Sequence, residues 1–221
     1  MKGFFITGTD TNVGKTYIAC QIASELHARG VNVVPRKPIE SGCELINGEL
    51  YPADADLLLK TSSSSAPLNE VCPFRFEPAV SPQIAASLAN ETVSLKQLIE
   101  ACINNLSDTD FLLTEGAGGF YSPICTDALN ADLATELKLP IILVTDDRLG
   151  AVNQTLMAVN AIEKYQLDII AIILNTTKAE HKNSLINNEQ EIKQFCNHPV
   201  FKVSHDETTS SALTNHLANY W

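Results

Sequence analysis

Positive charge is scarce in this chain: 15 Lys and Arg stand against 26 Asp and Glu, a formal charge of −11 over 221 residues. No basic cluster interrupts the excess, so a nucleic-acid surface is not expected, and an acidic surface disfavours anionic membranes. Any polyanionic ligand must then be met locally, by backbone N–H groups, a few lysines and a metal ion. Long apolar runs are also missing: nothing reaches the roughly 18 apolar residues that a membrane-spanning helix needs. No basic-then-apolar leader precedes the first strand-like run, which argues against a secretory signal and for a cytoplasmic protein. The six cysteines lie far apart with no Cys-x-x-Cys pair. Zinc spacing is therefore absent, and reduced, mostly buried thiols are expected instead of a disulfide framework.

What is present is a globular composition, 45% apolar and 19% charged, in a chain long enough for one substantial core. Apolar runs at Phe4 to Thr7, Val31 to Lys37, Phe111 to Thr114, Ile141 to Thr145, Ile169 to Asn175 and Val200 to Val203 have the character of strands buried on both faces. Helical patterns lie between most of them: Tyr17 to Ala28, Leu95 to Leu106, Ala131 to Leu137, Val152 to Tyr165 and Ser184 to Phe195. This alternation predicts a single α/β domain over residues 1–221, a doubly wound, mostly parallel sheet with ligands at the carboxyl ends of its strands. The interval from Pro38 to Leu95 fits less neatly. It reads as a loop, a short helix around Asp54 to Lys60, a flexible tip at Ser62 to Ser65, an irregular excursion and a helix over Pro82 to Leu88.

The first strand runs into Gly8-Thr9-Asp10-Thr11-Asn12-Val13-Gly14-Lys15-Thr16, and a helical pattern follows. Strand, glycine-bounded loop, Gly-Lys-Thr and helix are the parts of a phosphate-binding loop, which makes the sheet one of the P-loop NTPase type. Glycines let backbone N–H groups turn inward, and the helix N-terminus favours an anion. Lys15 can reach the β- and γ-phosphates, and the Thr16 hydroxyl can ligate Mg²⁺. Five residues separate Gly8 from Gly14, one more than the usual spacing.

Further chemistry gathers after the other strands. Arg36-Lys37-Pro38-Ile39-Glu40-Ser41-Gly42 leaves Lys37 at a strand end, beside the phosphate loop if the first two strands are neighbours; a solvated strand-end lysine is the alternative. Asp54 and Asp56 cannot share a helix face, so at most one of them is a metal ligand. Thr114-Glu115-Gly116-Ala117-Gly118-Gly119 puts a carboxylate after the third strand, placed like a Walker-B acid for Mg²⁺, with glycines that admit a ligand closely. Thr145-Asp146-Asp147-Arg148-Leu149-Gly150-Ala151-Val152-Asn153 is either an anion-binding helix start or an ordinary one. Asn175 either reads a base edge or forms a buried turn.

Taken together, Gly-Thr-Asp-Thr-x-Val-Gly-Lys-Thr, Lys-Pro-x-x-Ser-Gly, Glu-Gly-Ala-Gly-Gly and Leu-Gly before an asparagine-bearing helix resemble the dethiobiotin synthetase family. The resemblance implies conversion of 7,8-diaminononanoate, CO₂ and ATP to dethiobiotin, ADP and phosphate through a carbamate and a carbamic–phosphoric anhydride. It implies ATP held by Asp10, Thr11, Asn12, Val13, Gly14, Lys15, Thr16 and Tyr17, with Asn175 against adenine. It further implies Mg²⁺ on Thr16, Asp54 and Glu115, with Lys15, Lys37, Thr11 and Ser41 at the reacting groups and Gly118 along the substrate chain. A homodimer is implied as well, in which the neighbour's Leu149, Gly150 and Asn153 hold the substrate carboxylate. Asn12 stands where family members often carry glutamate, and nothing after Lys178 matches residue by residue, so Val203-Ser204-His205-Asp206 is only a positional expectation for the far wall of the adenine pocket.

Other classes fit less well. A partitioning ATPase of the same group carries a second lysine five residues before the Gly-Lys lysine, and that position is Asp10 here. An amide ligase of the corrinoid-modifying kind takes ammonia from an attached glutaminase domain, for which this chain has no room. A binding module without catalysis would not need Lys37 and Glu115 beside the loop.

Overall fold

Phe4 and Ile6 turn to one side of the first strand and Phe5 to the other, and all three are fully buried. A strand apolar on both sides belongs inside a sheet covered on both faces. The computed structural model describes residues 1–178, 187–204 and 211–221. In chain order, β1 (Lys2–Gly8) and α1 (Lys15–Ala28) lead to β2 (Val33–Arg36), β3 (Ile39–Ser41), the hairpin β4 (Glu44–Ile46) and β5 (Glu49–Tyr51), then α2 (Ala53–Thr61), α3 (Leu68–Val71), β6 (Phe74–Phe76), α4 (Pro82–Leu88) and α5 (Leu95–Ile103). The chain continues through β7 (Phe111–Gly119), β8 (Pro123–Cys125), β9 (Ala128–Leu129), α6 (Asn130–Leu137), β10 (Ile141–Asp146) and α7 (Ala151–Lys164). It ends with β11 (Ile169–Asn175), α8 (Asn188–Phe195), β12 (Val200–Val203), α9 (Ser211–Leu217) and a final turn of 3₁₀-helix.

Six strands form one parallel sheet in the order β12-β11-β10-β1-β7-β2. Helices α1 and α9 cover the face of Phe4 and Ile6, and α5, α6, α7 and α8 cover the face of Phe5. Each fully buried Leu, Ile or Phe contributes on the order of 1.5–3 kcal/mol to this core. No helix among the described residues is long and apolar enough to cross a membrane.

Two features of the sheet matter for the site. The first two strands are not neighbours, because β7 lies between them: Phe111 is in register with both Lys2 and Val33. Strand β7 also does not stop at Thr114. It runs through the glycines to Gly119, with a register shift against β1 between Ile6 and Gly8, so Glu115 lies within the strand and pairs with Ile6. Because Arg36 pairs with Thr114, Lys37 follows level with Glu115.

The interval from Pro38 to Leu95 is more ordered than expected. It holds β3 paired with β6, the β4–β5 hairpin and α3, besides the two expected helices. Asn47 and Gly48 both take positive φ (53° and 86°) between β4 and β5, and Asn-Gly is a strong hairpin signal. The serine run is not simply a tip: Ser62 is buried, and its hydroxyl donates to the Leu59 carbonyl at 2.8 Å.

Candidate active site

The phosphate loop is held from both ends. Thr9 N–H donates to the Val144 carbonyl at 2.9 Å, which ties the loop to the central sheet. At the other end Gly14 opens α1 in the left-handed region (φ 91°), and a Cβ there would lie 2.1 Å from Asn175 Nδ2. Glycine is required on both counts. Asn175 itself is buried and donates from Nδ2 to the Val13 carbonyl at 3.0 Å. It closes β11 and forms no turn, and its amide braces the loop while lining the cleft. Lys15 curls back so that Nζ donates to the Asp10 carbonyl at 2.8 Å, while the Asp10 carboxylate accepts from Thr11 N–H at 2.7 Å. Burial pulls the Lys15 ammonium down to about 8, against the opposing pull of Glu115 and with a further downward push from Lys37.

A cleft of about 540 Å³ opens over this loop at the carboxyl ends of the strands, where an open α/β sheet binds ligands. Thr11, Asn12, Gly14, Lys15, Thr16, Tyr17, Ser41, Gly118 and Asn175 all line it, as do Lys37, Asp54 and Glu115. Lys37 is not a solvated strand-end lysine. It is 4% exposed, and its Nζ lies 2.7 Å from Glu115 Oε1 and 2.9 Å from Asp54 Oδ2. Burial would lower its pKa, but Glu115, Asp54 and Glu40 outweigh burial and hold the ammonium charged, well above the ordinary lysine value. Burial likewise raises the Asp54 carboxyl, and Lys37 more than reverses this, leaving it below the usual range. Lys37 reaches Glu115 although β1 and β2 are not adjacent, because β7 itself carries the carboxylate to it.

Glu115 Oε1 also accepts from the Thr16 hydroxyl at 2.8 Å, whereas Oε2 is buried with no hydrogen-bond partner among the described residues. Thr16 Oγ1, Glu115 and Asp54 form a set of hard oxygen donors with one unsatisfied buried oxygen, which suits Mg²⁺. Among the described residues no group of three or more His, Cys, Asp and Glu could hold a metal by itself. Two carboxylates and a hydroxyl match an ion that takes its remaining ligands from phosphates and water.

Two residues that sequence reasoning passed over support these groups. Asn130, fully buried at the start of α6, accepts from Ala117 N–H at 3.1 Å and donates to the Gly119 carbonyl at 2.9 Å, bracing the glycine-rich end of β7. Gly116 must lack a side chain for this, since a Cβ would meet Asn130 Oδ1 at 2.7 Å. Glu40, in the motif that follows Lys37, is 7% exposed and accepts from the N–H groups of Asp54 (3.1 Å) and Ala55 (3.0 Å). Neither signal was local, because each partner lies at least 11 residues away. Arg36, beside Lys37, is structural: its guanidinium is buried against Glu70 and the carbonyls of Ala101 and Asn104.

Leu149, Gly150 and Asn153 do not join the cleft of their own chain. Gly150 precedes α7 at φ 92°, Leu149 is 80% exposed, and Asn153 faces outward on the first turn. Asp146 and Asp147 knit strand ends together, Asp146 accepting from Thr177 Oγ1 at 2.8 Å and Asp147 from Asn188 Nδ2 at 2.7 Å. Of the positions expected for the far adenine wall, His205 and Asp206 lie outside the described residues.

Residues 2–205 match a family model described as an AAA domain. The chain is 39% identical over 210 residues to the ATP-dependent dethiobiotin synthetase BioD of Vesicomyosocius okutanii subsp. Calyptogena okutanii (strain HA), covering 95% of this chain and 93% of that protein. To the protein of the same name from Ruthia magnifica subsp. Calyptogena magnifica it is 40% identical over 194 residues, covering 88% and 87%. Among solved structures it is similar in fold to the septum site-determining protein MinD from Pyrococcus horikoshii OT3, with TM-score 0.51, 14% identity and coverage of 93% and 82%. The signal recognition particle receptor FtsY from Elizabethkingia anophelis superposes with TM-score 0.51 at 16% identity, over 99% of this chain and 65% of the receptor.

Proposed function

The chain belongs to the dethiobiotin synthetase family, and on that premise we propose how its cleft closes a ureido ring at the expense of ATP. The enzyme forms dethiobiotin in an ATP-dependent step of biotin biosynthesis. Its substrates on this reading are 7,8-diaminononanoate and CO₂. One amine adds to CO₂ and loses a proton, giving a carbamate. A carbamate oxygen attacks the γ-phosphorus and ADP leaves, forming a carbamic–phosphoric anhydride. The second amine attacks the carbamoyl carbon, loses a proton and expels phosphate as the ring closes.

Carbamate and triphosphate repel each other, so the protein must supply fixed positive charge where they meet. The observation that carries the proposal is the meeting of two buried lysines, Lys15 and Lys37, around Glu115 in one cleft. Lys15 and the loop N–H groups take the phosphates, Lys37 faces the reacting oxygens, Thr11 donates to the carbamate, and Ser41, whose hydroxyl donates to the Val80 carbonyl at 2.6 Å, turns from it to do the same. Gly118, with φ 78°, lets the substrate chain lie against backbone. Thr16, Asp54 and Glu115 would hold Mg²⁺. When bound, the ion supplies charge that offsets the β- and γ-phosphate oxygens. Asn175, whose Nδ2 is taken by the loop, keeps Oδ1 as an acceptor for an adenine amino group. The active unit is a homodimer in the cytoplasm, and the neighbour's Leu149, Gly150 and Asn153 receive the substrate carboxylate at the start of α7.

Incubation with ATP, bicarbonate and diaminononanoate should yield dethiobiotin by mass spectrometry, with ADP in equal amount. The Lys15→Ala chain should stay folded and lose at least about tenfold in rate, roughly 1.4 kcal/mol of barrier. ADP formation without a cyclised product, or a folded mutant with wild-type turnover, defeats the reading.

A further inference from the structure

Helix α2 begins without a cap of its own. Its N-cap residue is Pro52, which offers no side-chain acceptor to the N–H groups of the first turn, and such groups need partners when a helix end is covered. The acceptors come from β3 instead. Glu40 spreads its carboxylate over that turn, Oε1 on Asp54 N–H at 3.1 Å and Oε2 on Ala55 N–H at 3.0 Å. A carboxylate at a helix N-terminus also gains from the helix dipole.

The two ends of this bracket are functional. Asp54 is the second residue of α2, and its Oδ2 lies 2.9 Å from Lys37 Nζ. Lys37 precedes Glu40 by three residues on the other side of the bracket. Glu40 thereby sets the start of α2 against the segment that follows Lys37, and so sets the distance from Asp54 to Lys37 and Glu115. The proposed chemistry assigns it no contact with substrate. We infer that Glu40 is a positioning residue for the metal side of the cleft, holding Asp54 in place by capping α2 from a separate strand; this rests on the proposed role of Asp54 as a metal ligand.

The test is Mn²⁺ binding, followed by the paramagnetic resonance of free Mn²⁺ with a non-hydrolysable ATP analogue present, on variants first checked for cooperative melting. Glu40→Gln keeps the shape but offers one acceptor and a misplaced donor, and should raise the Mn²⁺ dissociation constant about tenfold, as loss of an outer-shell partner does. Asp54→Asn should do the same. Adding Pro52→Ser to E40Q supplies a local cap and should recover most of the lost affinity, whereas a carboxylate acting directly on the metal would not be replaced this way. Wild-type Mn²⁺ affinity in E40Q beside a loss in D54N overturns the positioning role and leaves the metal site standing. Wild-type affinity in D54N itself overturns both. If E40Q does not melt cooperatively, Glu40→Asp takes its place: the shorter carboxylate should weaken binding by a smaller factor, and unchanged affinity there overturns the inference.

Discussion

One oxygen of Glu115, a residue only 1% exposed, receives two donors and the other none among the described residues. An unsatisfied buried carboxylate oxygen is costly, and a hard cation is the partner that best removes the cost. Glu115→Gln keeps the volume and removes the charge. It should raise the Mg²⁺ concentration for half-maximal activity by about tenfold or more, a lower bound taken from outer-shell effects. An unchanged Mg²⁺ titration would remove Glu115 from the ligand set and leave Thr16 and Asp54. Lys15, Thr16 and Glu115 were legible as residues because their chemistry is written in short motifs. The burial of Lys37 was not, since nothing in Arg36-Lys37-Pro38 says that β7 will lie beside it. Asn130 and Glu40 were likewise hidden, being defined by partners on other elements.

At the scale of elements, α7 is the one whose proposed role lies outside its own chain. Its first turn presents Asn153 outward, away from the cleft that Lys15 lines. Asn153→Ala should therefore raise the KM for the diamine and leave that for ATP nearly unchanged. Mixing Lys15→Ala with Asn153→Ala chains should give heterodimers with one doubly damaged site and one intact site, so activity at low diamine should partly return. An active monomer by sedimentation, or no recovery in verified heterodimers, would end the shared-site idea. The long strands and the helices between them were legible from period and length alone, except that the expected start of the last such helix at Ser184 lies outside the described residues. Strands β3, β5 and β6 span three residues each, too short to show a period, and only Asn47-Gly48 marked the hairpin.

For the molecule as a whole, the thiols report on packing. All six cysteines are free, and five are buried. Burial pushes Cys20, Cys43 and Cys125 up to about 11 and Cys102 to about 12, with Cys72 raised further still. At pH 8 a thiol near 11 is roughly one-thousandth thiolate, the reactive form. A disulfide-exchange reagent should thus count one fast thiol per native chain, Cys196, and all six in denaturant; several fast native thiols would mean a looser core. The amino-acid sequence by itself determined the parallel α/β class, the phosphate loop and its lysine, since periodicity and a contiguous motif are local properties of the chain. Only the tertiary structure decided that β7 separates β1 from β2, that Lys37 is buried against Glu115 and Asp54, and that Glu40 caps a helix lacking its own cap. Those are facts of which elements become neighbours, and neighbours are chosen by packing both faces of the sheet at once, which no single segment encodes.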